Sequence, residues 1–195
     1  MILSDVEIKA ALRERNIVID PHPTEEQYTT SALDLILGNE LFELKTPEEL
    51  TQEEPKGVER PLIVNLAEVQ DIRTLLHKYA KSVPTDADGS FLLAPQRFAL
   101  GITRERVELP KQAKIAARVE GRSTLARLGL AVHLTAPTIH AGFHGQIVLE
   151  MFNFSPYSLR LTPGKLAVCQ LIFERVGRIP KGPLKTTHLG QRSVR

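Results

Sequence analysis

The chain has 195 residues, a formal net charge of +2, and 42% hydrophobic and 25% charged residues. These values are typical of a single compact domain, residues 1–195, and they exclude a disordered or fibrous chain. The charge is too small to favour a nucleic-acid partner. No run of about 18 apolar residues and no signal-peptide pattern occurs, so we expect a cytoplasmic protein without a membrane segment.

The cysteine content limits which covalent and metal-binding sites the chain can form. Cys169 is the only cysteine, which excludes an internal disulfide and a Cys-x-x-Cys zinc framework and fits a reducing compartment. It lies in an apolar stretch, where we expect a small buried side chain without a chemical role.

The C-terminal segment, residues 175–195, contains six basic and no acidic residues. Such a segment is either a solvated basic tail or a tail that closes over a polyanion.

Two helices are predicted in the first half of the chain. Ser4 and Glu7 have the spacing of a capping box and precede apolar residues at helical spacing, so a short helix begins there. Apolar residues recur at helical spacing again over 69–79, which predicts a second helix.

Three further segments lie between these helices. Residues 33–44 alternate around Gly38 and Asn39, which predicts a β-hairpin. Residues 45–60 hold five glutamates and two prolines, which predicts an exposed loop. Residues 62–66 are apolar enough for a buried strand.

From residue 91 onward, short apolar segments are separated by Pro and Gly. The predicted strands are 91–93, 98–103, 115–119, 130–135, 146–154, 159–161 and 166–173. Seven short strands at near-regular spacing predict a mainly β fold, an antiparallel sandwich or barrel, with the helices peripheral.

The strand over 146–154 contains the first candidate for chemistry. Its alternation places Ile147, Leu149 and Met151 on one face and Val148, Glu150 and Phe152 on the other. A carboxylate between apolar neighbours is either held in an ion pair or suited to proton transfer, and both interpretations of Glu150 stay open at this point.

The segment GRSTLARLG, residues 121–129, predicts one short helical turn with Ser123 at the N-cap and Gly129 at the C′ position. Helix N-termini bind phosphate, and Arg122 and Arg127 would add charged contacts. Ser123 and Arg127 are four residues apart and share a face. A capped turn with two arginines is not specific by itself.

Residues 136–145 predict a loop between two strands with two glycines and two histidines, His140 and His144. Together with His133 these histidines suggest a metal site. No carboxylate at fixed spacing accompanies them and no cysteine is near, which favours ordinary hydrogen-bonding histidines.

Several ordered motifs together resemble the dCTP deaminase family. They are GRSTLARLG (121–129), TA (135–136), GFHG (142–145) and IVLE (147–150), with supporting segments at 1–5, 32–39, 163–164, 170–171 and 190–191. The resemblance implies a distorted jelly-roll or β-barrel-like fold of the dUTPase type, with a short N-terminal helix and one additional helix. It also implies a homotrimer with sites between subunits.

The activity that this resemblance implies is hydrolytic deamination of dCTP to dUTP and ammonia without zinc. The H-x-E and P-C-x-x-C signature of the zinc deaminases is missing. Magnesium would be bound with the triphosphate rather than by protein side chains. Feedback inhibition by dTTP is implied in the same way.

Residue roles follow from the match. Glu150 matches the catalytic base, and Ser123 and Arg127 match residues that position the water and orient that base. The nucleotide-binding positions implied by the resemblance are Arg122, Ser123, Thr124, Leu125, Ala126, Arg127, Ala136, His140, Val148, Leu149, Glu150, Gln170 and Gln191.

The match has departures in the loop and in the tail. His140 stands where many relatives have an Asp that contacts the sugar; it can still donate a hydrogen bond to the 3′-hydroxyl. Thr187, His188 and Lys181 stand where relatives often have Lys, Tyr and Tyr. Tail contacts to phosphate would then come from Lys181 or Lys185.

Four alternatives are weighed against this interpretation. A bifunctional member of the family would convert dCTP to dUMP and pyrophosphate. A plain dUTPase is disfavoured by Thr124 and His140, and by the lack of a glycine-rich C-terminal phosphate loop. A non-catalytic nucleotide sensor would not require Glu150, and a metal-dependent hydrolase would use the histidines.

Overall fold

The structure is a computed structural model, and it describes residues 1–53, 63–69, 71–183 and 193. In these residues the α-helices are α1 (Asp5–Arg13), α2 (Pro47–Glu53), α3 (Ile72–Tyr79) and α4 (Ser123–Arg127). The strands are β1 (Val18–Asp20), β2 (Leu33–Leu44), β3 (Ala80–Ser82), β4 (Phe91–Leu93), β5 (Phe98–Glu108), β6 (Ile115–Gly121), β7 (Leu130–Ala131), β8 (Thr138–Ile139), β9 (His144–Asn153), β10 (Leu159–Leu161) and β11 (Ala167–Arg175). Short 3-10 helices cover Glu25–Gln27, Leu66–Glu68 and Lys111–Ala113. Strands predominate, which confirms the predicted mainly β class.

The strands form one large antiparallel sheet with the order β7-β9-β5-β2-β11-β6-β8, to which β1 and β3 add at β5 and β2. Strands β4 and β10 form a separate pair. Residues 132–137 alone join β7 to β8 and reach at most about 25 Å. A flat path of seven strands would separate these edge strands by about 29 Å. The sheet therefore curls toward a barrel, as predicted.

The main hydrophobic core lies on the inner face of this curled sheet. On β9 the inner side chains are Ile147, Leu149 and Met151, and the side chains between them are half-buried, which confirms the predicted alternation. A second apolar cluster lies outside the main core. It comprises Phe42, Ala80, Leu100 and Ile102, with Leu76, Phe98 and Val148 packed against it.

Helix α1 begins as the sequence predicts. The Ser4 side chain accepts a hydrogen bond from the Glu7 amide, and the Glu7 carboxylate accepts one from the Ser4 amide. These two bonds satisfy amides that the first helical turn leaves without an intrahelical acceptor.

The predicted hairpin at 33–44 is wrong, because these residues form the single strand β2. The pairing register with β5 shifts between Leu37 and Leu41, so the chain bends without reversing. Gly38 provides close approach rather than a turn, since a Cβ there would lie 2.8 Å from the Ile102 carbonyl oxygen.

Two predictions in the following segment also fail. Residues 45–60 are not wholly a loop, because α2 occupies Pro47–Glu53. The strand predicted at 62–66 does not form over 63–66, where Ile63 and Leu66 are exposed and Leu66 begins a 3-10 helix. The second predicted helix is confirmed as α3, but it begins at Ile72, where Asp71 caps it by accepting from the Arg73 amide.

Strand bounds in the second half differ mainly in length. β5 continues to Glu108, beyond the predicted end at residue 103, through a bulge between Ile102 and Arg106. β7 is only two residues long instead of reaching residue 135. Residues 132–135, despite their strand-like composition, belong to the connection between the edge strands β7 and β8.

Cys169 is fully buried in the main core, as predicted, and burial raises the pKa of its thiol. We expect the folded protein to react with a thiol-specific disulfide reagent at less than about 1% of the rate of the unfolded chain, because the thiolate is the reacting species and is both scarce and inaccessible. Absorbance of the released reagent measures both rates. Equal rates in the two states would contradict the burial.

No helix among the described residues combines the length and the apolar character that crossing a membrane requires.

Candidate active site

The turn α4 contains the largest group of predicted site residues. Arg122, rather than Ser123, occupies the N-cap, with extended backbone dihedrals and no side-chain cap bond, so the predicted capping role of Ser123 is wrong. Leu125 packs against the main core. Ser123, Thr124, Ala126 and Arg127 are exposed. The turn is therefore anchored by one apolar side chain and presents the others outward.

Gly129 ends this turn at the predicted C′ position, with a φ of +87°. Its carbonyl oxygen accepts a hydrogen bond from the Phe154 amide at 2.8 Å. A Cβ at this position would lie 2.7 Å from the backbone nitrogen of Ser155. Both the positive φ and the close approach to Ser155 require glycine. The hydrogen bond from Phe154 and this close packing hold the turn against the end of β9.

Gly129→Ala is expected to destabilise the protein by at least about 3 kcal/mol, because the left-handed backbone and a backbone clash add. Gly164→Ala is the matched control: its φ is +73° and nothing lies within 4 Å of an added Cβ. The control should cost only about 1 kcal/mol. Denaturant titration measures both values, and equal losses would contradict the clash.

The start of α4 is held by β2 and β11. A guanidinium nitrogen of Arg122 lies 3.2 Å from Asp34 Oδ2, and Arg122 Nη1 donates to the Ala167 carbonyl oxygen at 3.4 Å. Gln170 Nε2 donates to Asp34 Oδ1 at 3.2 Å. The structure thus brings together two predicted nucleotide contacts, Arg122 and Gln170, on one buried carboxylate.

Glu150 lies on β9, on the face that does not enter the main core. It is half-buried, and its cross-strand neighbour on β5 is Leu100 of the second apolar cluster. Val148 shares this face, whereas Leu149 is fully buried in the main core. The Leu149 side chain therefore points away from the Glu150 face, so the predicted nucleotide contact of Leu149 would be made by its backbone.

Turn α4 and Glu150 are connected through the end of β9. Leu130, directly after the turn, pairs with Asn153, and Asn153 lies three residues beyond Glu150, about 10 Å along the strand. The same end of β9 therefore carries Glu150 and receives the turn that presents Ser123 and Arg127.

The segment predicted as a loop at 136–145 is more ordered than expected. Residues Thr138–Ile139 form β8, which pairs with β6, and β9 already begins at His144. Ala136 and His140 are exposed on either side of β8. Two predicted site residues thus flank a short edge strand rather than lying in a free loop.

The three histidines do not converge. His133 Nε2 lies 3.6 Å from Glu120 Oε2, which indicates a polar contact on β6. Over residues 1–53, 63–69, 71–183 and 193, no group of three or more His, Cys, Asp or Glu side chains is placed to hold a metal ion.

The basic tail is described only in part. Residue 175 ends β11, and the Gly182 carbonyl oxygen accepts a hydrogen bond from Lys111 Nζ at 2.8 Å. Lys181 is exposed. The predicted contact Gln191, together with Lys185, Thr187 and His188, lies outside the described residues.

Residues 2–176 match the family described as dCTP deaminase-like. The chain belongs to this family. The curated dUMP-forming dCTP deaminase of Methanosphaera stadtmanae is 39% identical over 173 residues, which cover 89% of this chain and 78% of the relative. The dCTP deaminase of Rhodospirillum rubrum is 39% identical over 177 residues, covering 89% and 82%. The predicted membership of a deaminase family is confirmed.

A solved structure shares the fold. The 2′-deoxycytidine 5′-triphosphate deaminase of Agrobacterium tumefaciens superposes with a TM-score of 0.63 at 18% identity and covers 90% of this chain. The chain spans about half of that protein's length, 48%. This likeness supports the curled, β-rich architecture of the dCTP deaminase-like family.

The sequence interpretation missed Asp34 as a site residue of this dCTP deaminase-like chain. It is 5% exposed and lies between Leu33 and Leu35, both fully buried. A charged residue inside the otherwise apolar segment 32–37 was the available signal, because burial of a carboxylate requires partners.

Proposed function

We propose that this chain hydrolyses the amino group of the cytosine in magnesium-bound dCTP, forming dUTP and ammonia without zinc. The observation that carries the proposal is Glu150, a half-buried carboxylate beside Leu100 and Val148 on the strand end that receives α4. Two relatives, 39% identical each, are named dCTP deaminases.

Glu150 acts as the general base and then as the acid. It takes one proton from water as the water oxygen bonds to C4 of the base, and it returns that proton to the amino nitrogen. The C4–N bond breaks and ammonia leaves. The second water proton ends on N3, which completes the uracil ring.

Ser123 and Arg127 position the water and keep Glu150 ionised until it acts. Both side chains are exposed on α4, so they are free to face a nucleotide. A guanidinium beside a carboxylate favours its charged form, and a hydroxyl both donates to and accepts from a water.

The remaining contacts divide between phosphate and base. Arg122, Ser123, Thr124, Leu125 and Ala126 form the turn that holds the triphosphate, since first-turn amides and a guanidinium suit an anion. Gln170 and Gln191 contact the nucleotide, as does Ala136. Val148 borders the base, and His140 contacts the sugar.

Magnesium enters as part of the substrate. The described carboxylates do not cluster into a site for a hard cation, and Mg²⁺ favours phosphate oxygens and retained waters. The basic segment 175–195, with Lys181 and Lys185, closes over this complex.

We propose a homotrimer with sites between subunits. Exposed apolar side chains lie at the α4 end of β9: Leu128 is 61% exposed, Phe154 60% and Tyr157 74%. Apolar surface of this kind next to a polar site is typical of an interface. The enzyme would act in the cytoplasm, and dTTP would be its feedback inhibitor.

A second candidate is the bifunctional reaction, in which dCTP gives dUMP and pyrophosphate. Several curated relatives, that of Methanosphaera stadtmanae among them, are named dUMP-forming, which favours it, whereas the name of the Rhodospirillum rubrum relative does not specify the end product. His140, which stands where the family resemblance places an Asp, is the feature that argues for dUTP as the end product.

The products separate these candidates. Purified protein is incubated with Mg²⁺ and either dCTP or dUTP, and ammonia, dUTP, dUMP and pyrophosphate are quantified. Ammonia with dUTP supports our proposal; ammonia with dUMP and pyrophosphate supports the bifunctional enzyme. Nucleotide binding without ammonia from dCTP would leave only a non-catalytic sensor or a dUTPase, and pyrophosphate from dUTP distinguishes these two.

A further inference from the structure

Glu105 is a charged residue of β5 that the proposed reaction does not use. Its carboxylate is 0% exposed and lies at the bulge of the strand. Oε2 accepts from the Ile36 amide at 2.8 Å. Oε1 accepts from Gln27 Nε2 at 3.1 Å and from Arg104 Nη2 at 2.6 Å. Full burial with this many donors indicates a fixed position for the carboxylate.

The Gln27 side chain links the Glu105 carboxylate to the backbone of β2. Its Nε2 donates not only to Glu105 but also to the Asp34 carbonyl oxygen, at 2.9 Å. The Gln27 side chain is itself oriented, because its Oε1 accepts from the Thr24 amide at 3.1 Å. Both amide N–H groups of Gln27 are therefore in use. The backbone of β2 is held on both sides of Leu35, at Asp34 and at Ile36.

Asp34 is the residue through which this network reaches the site. Its carboxylate accepts from Gln170 and pairs with Arg122, the residue at the N-cap of α4. A shift of the Asp34 backbone moves both partners, because a buried carboxylate with two committed oxygens has no alternative rotamer that preserves both contacts.

We propose that Glu105 is a positioning residue for nucleotide binding, acting through Gln27 and Asp34 to set the Arg122 guanidinium. The inference rests on the proposed role of Arg122 in phosphate binding. Gln at position 105 is nearly isosteric but presents one NH₂ group to donors, so at least one of the existing bonds is lost.

The test measures the Kd of magnesium-bound dCTP by calorimetry, in a Glu150→Gln background that removes turnover. Glu105→Gln is expected to weaken binding about tenfold, since a misplaced charged contact to phosphate is lost. Once Arg122→Ala is present, Glu105→Gln should change Kd by less than about twofold. This loss of additivity is what a merely structural role would not produce.

Glu43→Gln is the matched control. Like Glu105, Glu43 is a strand carboxylate paired with an arginine: it lies on β2, and its Oε2 accepts from Arg97 Nη2 at 2.9 Å. Its carboxylate bonds to Arg97 and, among the residues that the structure describes, to neither Asp34 nor Arg122, so Glu43→Gln is expected to lower stability while leaving the Kd within twofold of the reference.

Two results would overturn the proposal: an unchanged Kd in folded Glu105→Gln, or the same change in Kd with and without Arg122. If Glu105→Gln does not fold, Gln27→Met removes the link while keeping Glu105, and it should show the same tenfold effect and the same dependence on Arg122. Absence of ammonia from wild-type protein and dCTP would contradict the proposed function instead, without bearing on these Kd values.

Discussion

Glu150→Gln is expected to lower kcat for dCTP deamination by at least about 100-fold while changing the Kd for dCTP by no more than a few-fold. Removal of a general base costs about 100-fold to 10,000-fold. The amide keeps the size and a hydrogen-bonding oxygen of the side chain, so binding survives. Ammonia release under saturating dCTP measures kcat, and calorimetry measures Kd.

Glu174→Gln is the control for this experiment. Glu174 lies on β11, is half-buried like Glu150, and sits 2.8 Å from Arg118. It has no place in the proposed mechanism, so its kcat should stay within twofold of wild type. A Glu150→Gln variant that retains more than a tenth of wild-type kcat would exclude Glu150 as the base.

Arg127→Gln has the second largest expected effect, a loss of about 100-fold in kcat, because the proposed mechanism assigns to this guanidinium the orientation of Glu150 and the stabilisation of its charged form. Arg127→Lys should recover less than about a tenth of the lost activity, since an ammonium lacks the planar set of donors. Initial rates over a range of dCTP concentrations separate kcat from KM.

Arg160→Gln serves as the comparison for Arg127. Arg160 lies on β10, in the separate two-stranded sheet, and pairs with Asp86 and Asp88. Exposed pairs of this kind contribute little to stability. The control variant should keep wild-type kcat. An Arg127→Gln variant whose loss lies entirely in KM would assign Arg127 to substrate binding and remove it from the chemical step.

Short-range pattern predicted the parts of the site that depend on local geometry. The alternation on β9 set the faces of Leu149 and Glu150, since successive strand residues point to opposite sides. Gly129 was predicted at the C′ position, where its φ is positive. The N-cap was misplaced by one residue because Ser123 is a favoured capping type, whereas Arg122 is held there by Asp34.

The failures come from long-range contacts. Gly38 and Asn39 are residue types that favour turns. In the structure Gly38 is required instead by the close approach of the Ile102 carbonyl oxygen on the adjacent strand. Residues 63–66 are mostly apolar without being buried, since Ile63 and Leu66 are exposed. Periodicity cannot anticipate either outcome, because each depends on which strand lies alongside.

The buried polar network was also invisible to local pattern. Gln27 and Glu105 are 78 positions apart in sequence, and Gln170 and Asp34 are 136 apart, yet each pair is hydrogen-bonded. Only the sheet order brings these side chains together. The sequence offered one hint, a carboxylate at position 34 within the otherwise apolar segment 32–37, which required a partner that the sequence alone did not identify.

The central claim is zinc-independent removal of ammonia from dCTP by Glu150. The most direct measurement is ammonia release by wild-type protein that has been stripped of transition metals with a chelator and assayed with dCTP and Mg²⁺. We expect one ammonia for each dCTP consumed and no gain on adding Zn²⁺. Folded protein that releases no ammonia, or releases it only after Zn²⁺ is restored, would contradict the account.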